Sequence, residues 1–184
     1  GGVVLQPGLG SSAPTARRLG PHAISLESVE AERLAARVEM DIDNAEISIL
    51  TRDSNDITID AELRNAELIS YTISVLDGAP PGLVRIQAHV SPHLRNRTSA
   101  KIVVIAPSDA EIVIQNRSGA VNVSGDRETA TRVKVGDGDI TVTGSARSYN
   151  LESNRGNIRA TRVTNSISAK TRSGTIYVEG DLID

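Results

Sequence analysis

The chain has 184 residues, and its 20 Lys and Arg against 23 Asp and Glu give a formal net charge of −3. This length corresponds to one domain that can fold around its own core, and the charge balance excludes nucleic-acid binding driven by bulk positive charge. The absence of Cys excludes disulfides, thiol catalysis and Cys-ligated metal centres, and three Tyr as the only aromatic residues are too few for a base- or sugar-stacking platform.

The N-terminal residues differ in composition from the rest of the chain. Residues 1–22 are rich in Gly, Pro, Ser and Ala, which predicts a linker or a loosely attached N-terminal arm. Residues 23–184 are predicted to form a single β-repeat domain. No stretch of about 18 apolar residues exists, so we expect no membrane span in this chain.

Strand patterns dominate the first half of that domain. One helix is predicted at residues 28–37, which combine good helix formers with a Ser N-cap. From Val38 onward apolar and polar residues alternate, the pattern of half-buried strands. Further strands are predicted near residues 68–76, 83–90 and 100–106, with connections at 78–82 and 91–97.

Residues 112–184 contain an internal repeat of 18 or 19 residues. Its four units begin at Ile112, Thr131, Tyr149 and Ile167, and the internal glycines of the units are Gly119, Gly138, Gly156 and Gly174. Aliphatic residues recur five positions before each glycine and two and four positions after it. These three columns are Ile114, Val133, Leu151 and Ala169; Val121, Ile140, Ile158 and Ile176; and Val123, Val142, Ala160 and Val178.

The repeat predicts stacked coils, in each of which two short strands meet at the glycine. Glycine suits such a corner because it lacks the Cβ that would penalise the turn. The sequence therefore predicts an all-β fold with parallel β-helix or solenoid-like coils in the C-terminal half, continued or capped by strands of the N-terminal half. A β-sandwich of meanders is the alternative, because it also combines alternation with glycine turns.

Two columns of the repeat carry charge. Arg117 and Arg172 occupy equivalent positions, with Gly136 and Asn154 between them. Together with Arg155 they are candidate surface-binding residues for an anionic glycan or a teichoic-type polymer; a solvated corner that discourages edge pairing is the alternative. A second column predicts an alternating charge ladder on an outer face, formed by Gln115, Lys134, Glu152 and Lys170.

Two further groups of polar residues are candidate metal sites. Asp126, Asp137 and Asp139 could surround a calcium ion, but a polar corner explains the same residues, and no complete calcium-loop motif is present. His89 and His93 have Pro92 between them and no third ligand nearby, which favours a surface loop over zinc binding. We therefore assign no catalytic, metal-binding or cofactor-binding residue and expect no cofactor.

The repeat units RSGAVNVSG, GDGDITVTG, NRGNIRATR and RSGTIYVEG resemble those of the bacterial putative-adhesin family of β-strand repeats (DUF4097), which is related to autotransporter-adhesin head domains. The resemblance covers about residues 100–180, with the lead-in KIVVIAPSDAEIVIQNRSG. It is weaker over 38–100, where Ala45 stands in place of the glycine usual in that family. The resemblance implies a repetitive all-β fold located outside the cytoplasm or at the cell envelope, and it brings no catalytic residues.

These observations predict a non-catalytic, envelope-exposed or secreted β-repeat domain, an adhesin or scaffold that presents a polar β surface. The expected partner is a cell-surface polysaccharide or protein, and no nucleic acid. A self-assembling structural module is the alternative, because an open coil end offers unpaired backbone groups. A polysaccharide-active β-helix enzyme is the third hypothesis, and it requires acids that only the folded first half could supply.

Overall fold

The protein is all-β and its strands form two mixed sheets. The computed structural model describes residues 3–7, 15–18, 24–27, 35–54, 57–76 and 82–180. In chain order the strands are β1 (Val3–Pro7), β2 (Thr15–Arg18), β3 (Ile24–Glu27), β4 (Ala35–Ile42), β5 (Glu46–Arg52), β6 (Thr58–Arg64), β7 (Ile69–Leu76), β8 (Gly82–Val90), β9 (Ser99–Pro107), β10 (Glu111–Ser118), β11 (Val121–Ser124), β12 (Ala130–Asp137), β13 (Ile140–Thr143), β14 (Ser148–Arg155), β15 (Ile158–Thr161), β16 (Ser166–Ser173) and β17 (Ile176–Val178).

The first sheet has the strand order β1-β7-β8-β4-β10-β12-β14-β16, and the second has the order β17-β15-β13-β11-β5-β9-β6. Short 3₁₀ turns at Ala66–Leu68 and Pro92–Arg97 connect strands of different sheets. The inward side chains of both sheets meet in one hydrophobic core of Ile, Val, Leu and Ala. This sandwich-like arrangement of sheets fits the alternative that the sequence left open.

The repeat units pair in parallel, in the register that the columns predicted. Ile114 lies opposite Val133, which lies opposite Leu151, which in turn lies opposite Ala169. In the second sheet Val121, Ile140, Ile158 and Ile176 are aligned in the same way. Because the period matches one strand in each sheet plus two corners, each unit adds one strand to each sheet.

The first half of the chain extends this stack out of sequence order. β4 pairs with β10 and β5 pairs with β11, so residues 35–52 form the unit next to the repeats. The following neighbour is the pair β8 and β9, in parallel register with β4 and β5. Antiparallel strands β7 and β6 come next, on β8 and β9 respectively. The chain therefore forms β6 and β7 one place away from β4 and β5, and then inserts β8 and β9 between them.

The structure bears on three predictions from the first half. The helix predicted at residues 28–37 is wrong for its last three residues, because β4 already begins at Ala35; residues 28–34 lie outside the described residues. Within residues 1–22, predicted as a linker or arm, β1 pairs with β7 and β2 pairs with β3. Of the predicted loop at 78–82, Gly82 opens β8 and the remainder lies outside the described residues.

The corners between the strands explain the repeat glycines. An added Cβ on Gly119 would lie 1.9 Å from the Ala45 carbonyl oxygen, and one on Gly138 would lie 2.3 Å from the Gly119 carbonyl oxygen. The corner backbones of successive units thus approach too closely for any side chain. At the second corner of the third unit, where the other units have glycine, Arg162 adopts a left-handed backbone with φ of 60°.

Candidate binding groove

A groove of about 590 Å³ crosses the outer face of the first sheet, over strands β10, β12, β14 and β16. Two rows of side chains line it, each contributing one residue per strand. The first row is the predicted charge ladder, Gln115, Lys134, Glu152 and Lys170. The second row is Arg117, Gly136, Asn154 and Arg172.

The second row has an arginine at each end. Arg117 is on β10 and Arg172 is on β16, the two outer strands of these four. At the usual spacing of neighbouring strands, the backbones of β10 and β16 lie about 14 Å apart. Between them Gly136 has no side chain, and a Cβ there would lie 2.3 Å from the Arg117 carbonyl oxygen. Close backbone packing therefore requires glycine at 136, and the surface beside Arg117 stays low as a consequence, whereas Asn154 presents an exposed side chain beside Arg172.

Inward polar side chains fix the backbone beneath the groove. The Nδ2 of Asn116 donates to the Ala45 carbonyl at 2.9 Å, Ser153 Oγ donates to the Gly138 carbonyl at 2.8 Å, and Thr171 Oγ1 donates to the Gly156 carbonyl at 2.7 Å. Each bond joins a strand of one unit to the corner of the unit before it. Since Asn116 and Ser153 are buried, these bonds hold the floor of the groove rather than contact a ligand.

The groove lining is cationic although the whole chain is acidic. Four cations and one carboxylate line it: Arg117, Lys134, Lys170 and Arg172 against Glu152. Beyond Arg117 the sign reverses, because Asp43 Oδ1 lies 3.8 Å from Arg117 Nε and 3.4 Å from His89 Nδ1. Asp41 and Asp43 therefore limit the cationic surface at its β4 end.

Of the predicted binding residues, Arg117 and Arg172 line the groove and Arg155 does not. Arg155 is the last residue of β14, and its Nε lies 3.8 Å from Asp137 Oδ1 on the neighbouring strand. The structure thus brings together the two arginines of one column. It also adds the neighbouring lysines Lys134 and Lys170, which the sequence placed in a separate charge ladder.

The candidate calcium ligands serve the corners of the units. Asp139 Oδ1 accepts the Asn157 backbone N–H at 2.8 Å, one unit further on. Asp126 Oδ1 accepts the Ser145 backbone N–H at 3.0 Å, and this bond lowers the pKa of the Asp126 carboxyl. The polar-corner interpretation accounts for both contacts. Among the described residues no group of three His, Cys, Asp or Glu could hold a metal ion.

The two candidate histidines, His89 and His93, occupy different parts of the surface. His89 stands on β8 between the carboxylates of Asp41 and Asp43, at 3.4 Å from each. His93 is an exposed residue of the Pro92–Arg97 turn. The surface position of His93 agrees with the loop interpretation, whereas His89 belongs to the charged outer face of the first sheet.

Sequence reasoning missed Arg127, the only charged side chain among the buried residues that the structure describes. Its Nε donates to Thr131 Oγ1 at 2.9 Å, its Nη1 donates to the Gly125 carbonyl at 2.6 Å, and its Nη2 donates to the Tyr149 hydroxyl. Burial lowers the pKa of this guanidinium. The residue follows a corner glycine among charged neighbours, and that context gave no signal of burial.

The fold is shared with a solved structure described as a putative cell adhesion protein from Clostridium sporogenes. The two align with a TM-score of 0.64 and 10% identity, over 91% of this chain and 99% of that chain. A putative lipid binding protein from Parabacteroides distasonis aligns with a TM-score of 0.30 and 10% identity, over 97% and 98% of the two chains. A putative adhesin from Parabacteroides merdae aligns with a TM-score of 0.25 and 11% identity, over 98% and 99%. The last two scores are too low to define a shared fold.

No protein-family model matches the chain, and no curated protein matches it either. Membership of the putative-adhesin family (DUF4097) therefore stays a prediction, while the likeness to a protein described as a cell adhesion protein is established at the level of the fold. In the described part of the chain, no helix has the length and apolar character needed to cross a membrane.

Proposed function

We propose that this protein is a non-catalytic, adhesin-like protein of the cell envelope or its exterior, which binds an anionic cell-surface polysaccharide through the groove of the first sheet. In this proposal the units form a solenoid-like stack of coils, and the stack serves as a rigid scaffold for the groove. The observation that carries the proposal is the concentration of four cations around one groove in a chain of net charge −3.

The composition of the groove favours binding over catalysis. Its lining contains a single carboxylate, Glu152, and no histidine, so it offers no acid–base pair. The cations are exposed and lie on three of the four strands, β10, β12 and β16, an arrangement suited to charge-assisted hydrogen bonds with an extended ligand. The adhesin-like assignment draws further support from the fold shared with the cell adhesion protein and from the family that the repeats resemble.

The first test is a binding experiment with the purified chain. Wild-type protein is expected to bind washed bacterial cells and isolated anionic envelope polysaccharides saturably, and to lose affinity as salt is raised. The double substitution Arg117→Gln with Arg172→Gln is expected to weaken binding at least about tenfold, because two charge-assisted contacts are lost. Affinity would be measured by biolayer interferometry at two salt concentrations.

A matched control separates the groove from general charge effects. Arg52→Gln with Arg64→Gln removes the same charge from exposed positions on the second sheet. This control is expected to retain affinity within about twofold, which corresponds to less than about 0.5 kcal/mol. Equal losses in the two double variants would contradict a binding role for the groove.

A second candidate function is self-assembly through the edge formed by β16 and β17. Both are edge strands of their sheets, and Ile176 and Val178 are 44% and 37% exposed there. They continue columns that are buried in the other units, so a further layer of strands would cover them. The proposed occupant is a second copy of this chain.

Sedimentation equilibrium over a wide concentration range tests the self-assembly. Dimers are expected for the wild type, and Ile176→Lys with Val178→Lys is expected to be monomeric at concentrations at which at least about 90% of the wild type is dimeric. Asn122→Lys, on the exposed face of β11, serves as the control and should dimerise like the wild type. A strictly monomeric wild type would exclude this candidate.

A further inference from the structure

One carboxylate stands among the cations of the groove, at the centre of the charge ladder. Glu152 on β14 lies between Lys134 on β12 and Lys170 on β16, in direct strand register with both. Its side chain is exposed, and among the described residues no salt bridge joins it to either lysine. The carboxylate is therefore open to a ligand that lies across the strands.

We infer that Glu152 makes the groove select glycans that carry acidic groups on alternate sugars over polyanions that carry a charge on every residue. This inference rests on the proposed function, since it concerns the ligand of the same groove. A chain lying across the strands meets Lys134, Glu152 and Lys170 in succession, at intervals of one strand spacing, about 4.8 Å. Its acids can face the two lysines only if the segment between them carries no acid.

The segment that faces Glu152 is expected to contain hydroxyl groups. A hydroxyl can donate to the Glu152 carboxylate in a charge-assisted hydrogen bond, whereas a second acid at that place would meet a like charge. Hydroxyls between spaced acids are what a glycan with alternating acidic and neutral sugars offers. The arginines of the second row, Arg117 and Arg172, are then available to further acids of the same chain.

The remaining lining disfavours other classes of polyanion and neutral glycans. None of the three Tyr lines the groove, and the chain has no Phe or Trp. Stacking of nucleic-acid bases or of sugar rings is therefore not available, and affinity must come from charge and hydrogen bonding. A neutral glycan lacks the charge. A nucleic acid carries a phosphate on every residue, so it would place a phosphate opposite the Glu152 carboxylate.

Two carboxylated glycans that differ in charge density test the inference. Hyaluronan carries one carboxylate for every two sugars, and polygalacturonate carries one on every sugar. Fragments of equal length would be titrated into wild-type protein and into Glu152→Gln by isothermal calorimetry. We expect the wild type to prefer hyaluronan at least about fivefold, and the preference to disappear in Glu152→Gln because its affinity for polygalacturonate rises by about that factor.

Glu46→Gln is the matched control, because it neutralises an exposed carboxylate on the second sheet. It is expected to leave both affinities unchanged within about twofold. A wild type that binds polygalacturonate as well as hyaluronan, or a Glu152→Gln variant that keeps the wild-type preference, overturns the inference.

The failure of this inference can be told apart from the failure of the proposed function. If both glycans bind equally and the Arg117→Gln with Arg172→Gln variant abolishes that binding, the groove binds anions and only the role of Glu152 is wrong. If neither glycan nor any envelope polysaccharide binds the wild type, the proposed function itself is wrong and the selectivity proposal falls with it.

Discussion

Arg127→Ala is expected to lower the free energy of unfolding by about 3 to 5 kcal/mol. The guanidinium joins three buried or partly buried partners, and its carbon lies 5.2 Å from the centre of the Tyr149 ring. Removing it leaves the Gly125 carbonyl and the Tyr149 hydroxyl without this donor and opens a cavity behind the corner. The equivalent position in the next unit, two residues after Gly144, is the buried Ala146, so position 127 faces the interior of the connection.

Urea unfolding followed by circular dichroism measures this effect through the midpoint and the m-value. Arg147→Ala is the matched control, because Arg147 is an exposed arginine on the corresponding connection of the next unit. Its loss is expected to be within about 0.5 kcal/mol. If Arg127→Ala costs no more than the control, the buried hydrogen bonds contribute little and the corner tolerates their absence.

Gly138→Ala is expected to destabilise the fold by at least about 3 kcal/mol, because the new methyl group cannot be accommodated. The Cβ would lie 2.3 Å from the Gly119 carbonyl oxygen and 2.6 Å from its carbon, both of which are backbone atoms. Relief requires the second unit to move away from the first, which breaks bonds such as Gly119 N–H to the Asp137 carbonyl at 2.8 Å. A loss of this size lowers the Tm by about 6 to 12 °C in a chain of this length.

Ala45→Gly provides the reciprocal control at the equivalent corner. Ala45 precedes β5 at the place where Gly119 precedes β11, and its methyl group is buried without a clash. On the side of Ala45 away from the repeats, β8 and β9 are connected by the Pro92–Arg97 turn and not by a glycine corner. Loss of the methyl group is expected to cost about 1 kcal/mol. Scanning calorimetry of both variants gives their Tm values. A Tm of Gly138→Ala equal to that of the wild type would contradict the packing argument.

Much of the fold follows from local patterns. Alternation predicted most strands of the described chain, and the glycine period predicted which residues lie opposite one another in the repeats, such as Ile114 and Val133. The helix predicted at 28–37 failed at Ala35, because pairing of β4 with β8 and β10 outweighs intrinsic helix propensity there. Tertiary pairing decides the conformation of such ambiguous segments.

The candidate site was predicted only in part, for a similar reason. The repeat columns aligned Arg117 with Arg172 and Lys134 with Lys170 from the sequence alone, since parallel pairing preserves the period. Arg155 was included because it lies near a corner, yet it contacts Asp137 outside the groove. The groove itself depends on the relative heights of side chains on four strands, with Gly136 low and the two arginines high, and a linear pattern does not give these heights.

The sequence by itself determined the β class, the unit length, the corner glycines and the residues that share a column, because each depends on spacing along one chain segment. The tertiary structure alone decided that β8 and β9 lie between β6–β7 and β4–β5, and that Arg127 is buried. Both depend on segments distant in the sequence. The order of the units depends on β8 and β9 pairing with the free edges of β4 and β5, which come much earlier in the chain. The burial of Arg127 depends on the hydroxyl and carbonyl groups that accept its hydrogen bonds.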